Sequence, residues 1–332
     1  MSWLRELAPH DIVQAPMANA SGAALAAAVA RAGGLGSIGS ATMTPETVEA
    51  EVRAFRAAAG AGAPLQLNFF VHAPPRFDLG AAERVWKRLG GAGAPPTLTA
   101  APPFDERMLA CVLALAPPVV SFHFGLPDAA SVSALRAAKI RVLSSATSVA
   151  EAKWLRDRGL DAVIAQGIEA GGHRGSFATP SGEGDLGTMA LVPQIVDAVD
   201  LPVIAAGGLY DGRGIAAVRA LGAAAAQLGT MFLGCPEATV SPAYAAMLRS
   251  PRAAATRVTR VYSGRPARAI LTPFVESFDG GETLDFPLQR GLSAAFDTAM
   301  WAGQAAAKLR PMPAAQLVAT LRDETQAAER RE

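Results

Sequence analysis

The stretch IEAGGHRGSF, residues 168–177, gathers a carboxylate, two adjacent glycines, an imidazole and a guanidinium within a few positions. Gly171 and Gly172 set His173 on a mobile or tightly turned loop. An imidazole there is suited to proton transfer near neutral pH. Glu169 and Arg174 flank it and would tune it in opposite directions. The plainer alternative is a solvated loop histidine. His123, in VVSFHFG, lies between aromatics and reads equally as a core residue or a site residue. His10 and His72 have no comparable context.

Two glycine-bearing junctions follow. AAGGLYDG places Gly207 and Gly208 directly after an apolar run, and QLGTMF places Gly229 and Thr230 after the next one. Glycine lets a backbone approach an anion closely, and a helix start adds a favourable dipole. Either pair alone could be a tight turn. Both together, at consecutive strand ends, point to a phosphate cradle. Asn68, Gln166 and Gln227 are neutral amides at the ends of apolar runs. They could read the edge of a flat heterocycle or be satisfied within the protein. Ala15, Pro16 and Met17 end the first apolar run, where Met17 suits a core as well as a ligand contact. The histidines and carboxylates lack metal-ligand spacing, and no Ser-His-Asp or Cys-His pattern stands out.

These residues need a scaffold that brings strand ends to one place. Apolar runs at 11–17, 35–40, 65–71, 119–125, 141–147, 162–167, 202–208 and 224–232 predict strands. Helical stretches are expected at 21–32, 45–59, 104–116, 128–138, 148–158, 188–199 and 211–220. Strands that are apolar throughout indicate a parallel sheet covered on both faces. Eight such units predict an α/β fold, a TIM (β/α)8 barrel with its site at the carboxyl ends of the strands. A doubly wound sheet is the alternative. Residues 1–239 form the expected barrel, with a Pro- and Gly-rich excursion at 72–103. Residues 240–332 read as a helical cap, with helical patterns in SAAFDTAMWAGQAAAKL and AAQLVATLRDETQAAERR.

Composition bounds the rest. The chain has 332 residues, 51% hydrophobic and 18% charged, which supports a large core. Its net charge of +1 gives no electrostatic case for nucleic acid or an anionic membrane. Cys111 and Cys235 suggest neither a metal site nor a disulfide framework. No signal peptide or uninterrupted membrane-length apolar run is read, so a cytoplasmic location is expected.

QAPMANASG, LNFF, VSFHFGLP, QGIEAGGHRG, PVIAAGG, QLGTMFLGCPEA and WAGQ occur in this order across nearly the whole chain. In them the chain resembles the nitronate monooxygenase family, formerly 2-nitropropane dioxygenases, and its class I branch in particular. The resemblance implies an FMN-containing TIM barrel that oxidises a nitronate or nitroalkane with dioxygen to a carbonyl compound and nitrite. It implies His173 as the catalytic base or substrate-orienting group, and His123 on the substrate side. Asn68, Gln166, Gly171, Gly208, Gln227, Gly229 and Thr230 match its FMN-contacting positions. One departure stands in DFPLQRGLSAAF, where Phe286, Arg290 and Ala294 replace tyrosines and a lysine. An NAD(P)H-dependent flavin reductase of quinones or enoyl thioesters, and a non-catalytic FMN-binding protein, are the competing readings. A homodimer stays open.

Overall fold

The computed structural model describes residues 3–100, 102–178 and 185–330. Its strands, in chain order, are β1 Ile12–Gln14, β2 Gly36–Gly39, β3 Leu65–Phe70, β4 Val119–His123, β5 Arg141–Ala146, β6 Ala162–Gln166, β7 Gly172–His173, β8 Val203–Ala206, β9 Ala225–Leu228, β10 Thr256–Thr259 and β11 Ala267–Ile270. Eight of them form one parallel sheet in the order β1-β9-β8-β6-β5-β4-β3-β2. A parallel bridge between Val13 and Leu35 joins its two ends, so the sheet closes into a barrel. All eight expected strands are present, in the order a TIM barrel requires.

Closure puts the two faces of each strand into different environments. Val13, Leu143, Ile164 and Ile204 point inward and form one buried cluster with Leu4 and Ala8. The short helix Trp3–Leu7 therefore stops the barrel at the amino ends of its strands. Ile12, Val142, Val163 and Ala205, one residue out of phase, pack outward beneath the helices. Both faces are buried, which is why the strands lack polar alternation. The seven expected helices are present. Several start on a side-chain cap: Thr44, Asp105, Asp128, Ser148 and Asp211 each accept a first-turn amide. Each cap fixes where a loop ends, and so how a strand-end residue is presented.

The structure differs from the sequence reading in three places. The expected strand 224–232 ends at Leu228 and turns into a 3-10 helix, Thr230–Gly234. The excursion at 72–103 holds a helix, Leu79–Arg88, capped by Asp78. Its amphipathic pattern is short and flanked by Pro and Gly, which masked it.

The C-terminal segment differs most. It contains a β-hairpin, β10 with β11, which no helical pattern announces. SAAFDTAMWAGQAAAKL folds mainly as turns and extended chain with one 3-10 turn, Ala306–Lys308. There Trp301 bridges to Ala269, and the Gln304 amide donates to the Glu169 carbonyl at 2.9 Å. These long-range partners override helix propensity. The last helix, Ala314–Glu329, returns to the barrel wall and joins the outer core through Leu317, Val318 and Leu321. Residues 235–313 thus form an insertion between the last barrel strand and the last barrel helix. The insertion and helix Leu79–Arg88 share a separate core that includes Ala82, Val85, Leu284, Leu288 and Leu292.

Candidate active site

A cavity of about 1010 Å³ opens at the carboxyl ends of the barrel strands. Such cavities commonly span about 300–1,000 Å³, so there is room for a cofactor with a substrate beside it. Its walls include every residue expected to hold cofactor or substrate: Ala15, Pro16, Met17, Asn68, His123, Gln166, Gly171, Gly172, His173, Gly207, Gly208, Gln227, Gly229 and Thr230. The insertion adds Tyr262, Ser263, Phe286, Arg290 and Trp301.

His173 lies where the barrel and the insertion meet. Gly172, at φ +74°, takes a conformation that L side chains rarely adopt, and turns the chain into β7. β7 then pairs antiparallel with β11, with His173 opposite Ala267. Gly171 has a packing reason of its own: a Cβ there would stand 2.5 Å from the Gly303 amide nitrogen. The His173 Nε2 is 2.9 Å from Ser263 Oγ. Phe70, Phe124, Phe286 and Trp301 surround its ring at centroid distances of 5.7, 5.8, 5.4 and 5.2 Å.

This enclosure sets the charge state. His173 keeps partial surface through the cavity, yet desolvation by the surrounding protein pushes its pKa down to about 3. Among the described residues, the standing charges that act on it are the cations Arg265 and Arg290, which lower it further, as protonation of His123 would. Desolvation likewise pushes His123 down to about 4. Both rings are neutral at physiological pH.

The flanking charges expected to tune His173 have other work. The Glu169 carboxylate accepts the Thr188 amide at 2.9 Å and the Thr188 hydroxyl at 3.0 Å, at the start of helix Thr188–Ala198. Arg174 is buried and donates to the carbonyls of Gln166 and Gly167 at 2.9 and 2.7 Å. Sequence neighbours on this loop are bonded elsewhere, while the charges of Arg265 and Arg290 on the insertion act on the imidazole.

The amides divide by how they are bonded. Asn68 Nδ2 donates to Ser121 Oγ at 2.9 Å, which leaves its oxygen as the atom to offer a ligand. Gln166 Nε2 donates to the His173 carbonyl at 2.9 Å, and its Oε1 accepts the Gly175 amide at 2.7 Å. Gln227 Oε1 is buried without a hydrogen-bond partner. Gly207 and Gly208 have φ of +118° and +71°. Thr230 Oγ1 accepts the Gly303 amide at 2.9 Å, which frees its proton to be donated. His123 has both ring nitrogens engaged: Nδ1 lies 2.9 Å from Ser145 Oγ and Nε2 lies 3.0 Å from the His173 carbonyl. Its expected place on the substrate side therefore rests on the ring face alone.

Phe70, Phe124, Ser263 and Arg265 were not found from the sequence. Phe124 carries one usable sign, since it follows a strand-end histidine and precedes a glycine. Ser263 carries none, because 90 residues separate it from His173.

Fold and site define a parallel β/α barrel with a cofactor-sized cavity at its mouth and a neutral imidazole in the wall. The family model described as nitronate monooxygenase matches residues 2–324. Nitronate monooxygenase from Pseudomonas aeruginosa is 42% identical over 95% of this chain and 96% of its own. The enzyme of that name from Paraburkholderia phytofirmans is 41% identical over 94% and 91%. Among solved structures, nitroalkane oxidase from Streptomyces ansochromogenes superposes with a TM-score of 0.88, at 37% identity and 99% coverage of both chains. FabK from Thermotoga maritima superposes at 0.75, with 27% identity, 100% coverage of this chain and 98% of its own. The chain belongs to the nitronate monooxygenase family.

Proposed function

We propose that this chain is an FMN-dependent enzyme that oxidises small alkyl nitronates with dioxygen, giving a carbonyl compound and nitrite. The observation that carries the reading is a neutral imidazole, walled by four aromatic rings, on which the cations Arg265 and Arg290 are the charges that act among the described residues. Such a pocket favours an anion that carries apolar substituents. A nitronate is that anion, and its neutral nitroalkane is not.

The wall suits FMN. The unpartnered Gln227 Oε1 can accept from a ring N–H, and the Asn68 oxygen offers a second acceptor. Gly207, Gly208, Gly229 and the Thr230 hydroxyl would hold the phosphate at the last two strand ends. Ala15, Pro16 and Met17 would line the face beside them. When bound, FMN supplies the electron acceptor and the link to dioxygen.

The chain's own residues orient and exclude. Phe70, Phe286 and Trp301 keep water from the substrate's apolar end. His173, neutral in the free enzyme, would hydrogen-bond the nitronate. An anion beside it would raise its proton affinity, so it could hold a proton through turnover. Its low starting affinity makes it a weak base toward a neutral nitroalkane. Preformed nitronate is therefore expected to be the better substrate.

The test is the visible spectrum of the purified protein, followed by oxygen uptake and nitrite release on adding nitronate. A colourless protein that refuses FMN would end the proposal. Rapid anaerobic bleaching by NADH, with no nitronate-dependent oxygen uptake, would replace it with the reductase reading.

A further inference from the structure

His123 is a titratable group in the cavity wall for which the proposed reaction has no use. Its ring lies between the end of barrel strand β5 and the short strand β7. Nδ1 is 2.9 Å from Ser145 Oγ on β5, and Nε2 is 3.0 Å from the carbonyl oxygen of His173. A carbonyl can only accept, so Nε2 carries the proton. The neutral ring then presents Nδ1 as acceptor for the Ser145 hydroxyl. Neither nitrogen remains for a substrate.

The same carbonyl accepts a second hydrogen bond, from Gln166 Nε2 on β6 at 2.9 Å. Gln166 Oε1 in turn holds the Gly175 amide at 2.7 Å. On the opposite edge the segment pairs with β11, and the Arg174 amide donates to the Pro266 carbonyl at 2.9 Å. Residues 173–175 are therefore gripped from the barrel by two side chains and from the insertion by backbone. The grip has a purpose, because Gly171 and Gly172 immediately precede His173 and leave its loop with little stiffness of its own.

We infer that His123 is a positioning residue: its Nε2–H, acting on the His173 carbonyl, fixes where the His173 imidazole stands, and it does not itself bind substrate. The kinetic consequence rests on the nitronate-oxidation reading, whereas the hydrogen-bond pattern does not. A displacement of about 1 Å in a positioned reacting group can cost roughly 100-fold in rate.

His123→Phe keeps the ring's bulk and removes both nitrogens. It is expected to retain FMN and a near-normal KM while kcat for nitronate falls by roughly 100-fold. His123→Gln restores an N–H at similar reach and is expected to recover most of that loss. In a His173→Asn background, His123→Phe should cost nothing further, because it acts only through the residue already removed. Additive losses, or a loss that falls on KM and varies with the nitronate used, would overturn the assignment. Ring-nitrogen NMR gives a readout that needs no turnover. His123 is expected as the neutral Nε2–H tautomer between about pH 5 and 8. The Nδ1–H tautomer, or an ordinary titration in that range, would overturn it even if nitronate proved not to be the substrate.

Discussion

Leu143 in the barrel and Leu292 in the insertion are both fully buried, yet they are held by different kinds of structure. Leu143 lies in a ring of inward-facing strand residues, each placed by the two-residue alternation of its strand. Leu292 sits on a five-residue helix, Gln289–Ser293. Its surroundings are fixed by specific polar ties, such as Gln289 Nε2 to the Val261 carbonyl at 2.9 Å and Ser293 Oγ to the Tyr262 carbonyl at 2.8 Å. Arg88, from the excursion helix, secures the same region through the carbonyls of Phe278 and Glu282 at 2.9 and 2.7 Å. One region is built by a repeating pattern and the other by individual contacts. The barrel can therefore carry a general cofactor cradle, while the insertion supplies the side chains nearest His173.

The comparison is tested most sharply at their junction. His173→Asn is expected to retain FMN and lose at least about 100-fold in kcat/KM for nitronate, the scale of a lost acid–base group. Unchanged turnover would remove His173 from the chemistry and leave the junction without a catalytic purpose. A barrel-side change should act on the cofactor instead. Gly208→Val forces a β-branched residue to φ +71° and puts its Cβ 3.3 Å from the Glu169 Cβ. FMN affinity, followed by flavin absorbance after gel filtration, should fall by about tenfold or more, given 1–2 kcal/mol of strain.

Stability should separate the regions as well. Leu143→Ala and Leu292→Ala should each cost about 2–5 kcal/mol. The first should lower the unfolding transition of the whole protein. The second should appear by hydrogen exchange as local opening of residues 235–313 and the excursion helix, with barrel protection kept. Identical protection patterns would show that the two cores unfold as one.

The last test is the pH response. His173 and His123 have folded pKa values of about 3 and 4, below the ordinary 6.5. Folding stability is then undiminished above about pH 6.5, where both states are neutral. It falls as pH drops below that, because the unfolded chain takes up protons first. The loss levels off near the folded values. The kcat/KM profile for nitronate should accordingly show no histidine ionisation near 6.5, and one found there would mean that the aromatic wall does not exclude water.

The barrel was legible because its signals are local. Eight apolar runs, their spacing and the capped helices between them are properties of short windows, and strand-end position follows from the fold class. That is how Gly207, Gly208, Gln227, Gly229 and Thr230 could be assigned to one cavity before any coordinates. The insertion was not legible for the opposite reason. Alanine-rich SAAFDTAMWAGQAAAKL has helical composition, but along itself it makes short turns, while backbone hydrogen bonds tie it to Glu169, Arg268 and Ile270.

The sequence by itself determined the repeating β/α architecture, the strand ends that meet and the imidazole at their centre, since periodicity and glycine placement act over a few residues. The tertiary structure alone decided which charges that imidazole feels, what holds its carbonyl and which rings enclose it. Four of those partners, Ser263, Arg265, Phe286 and Trp301, lie some 90 to 130 positions away along the chain. No local rule brings them together until the barrel has closed and the insertion has folded over its mouth.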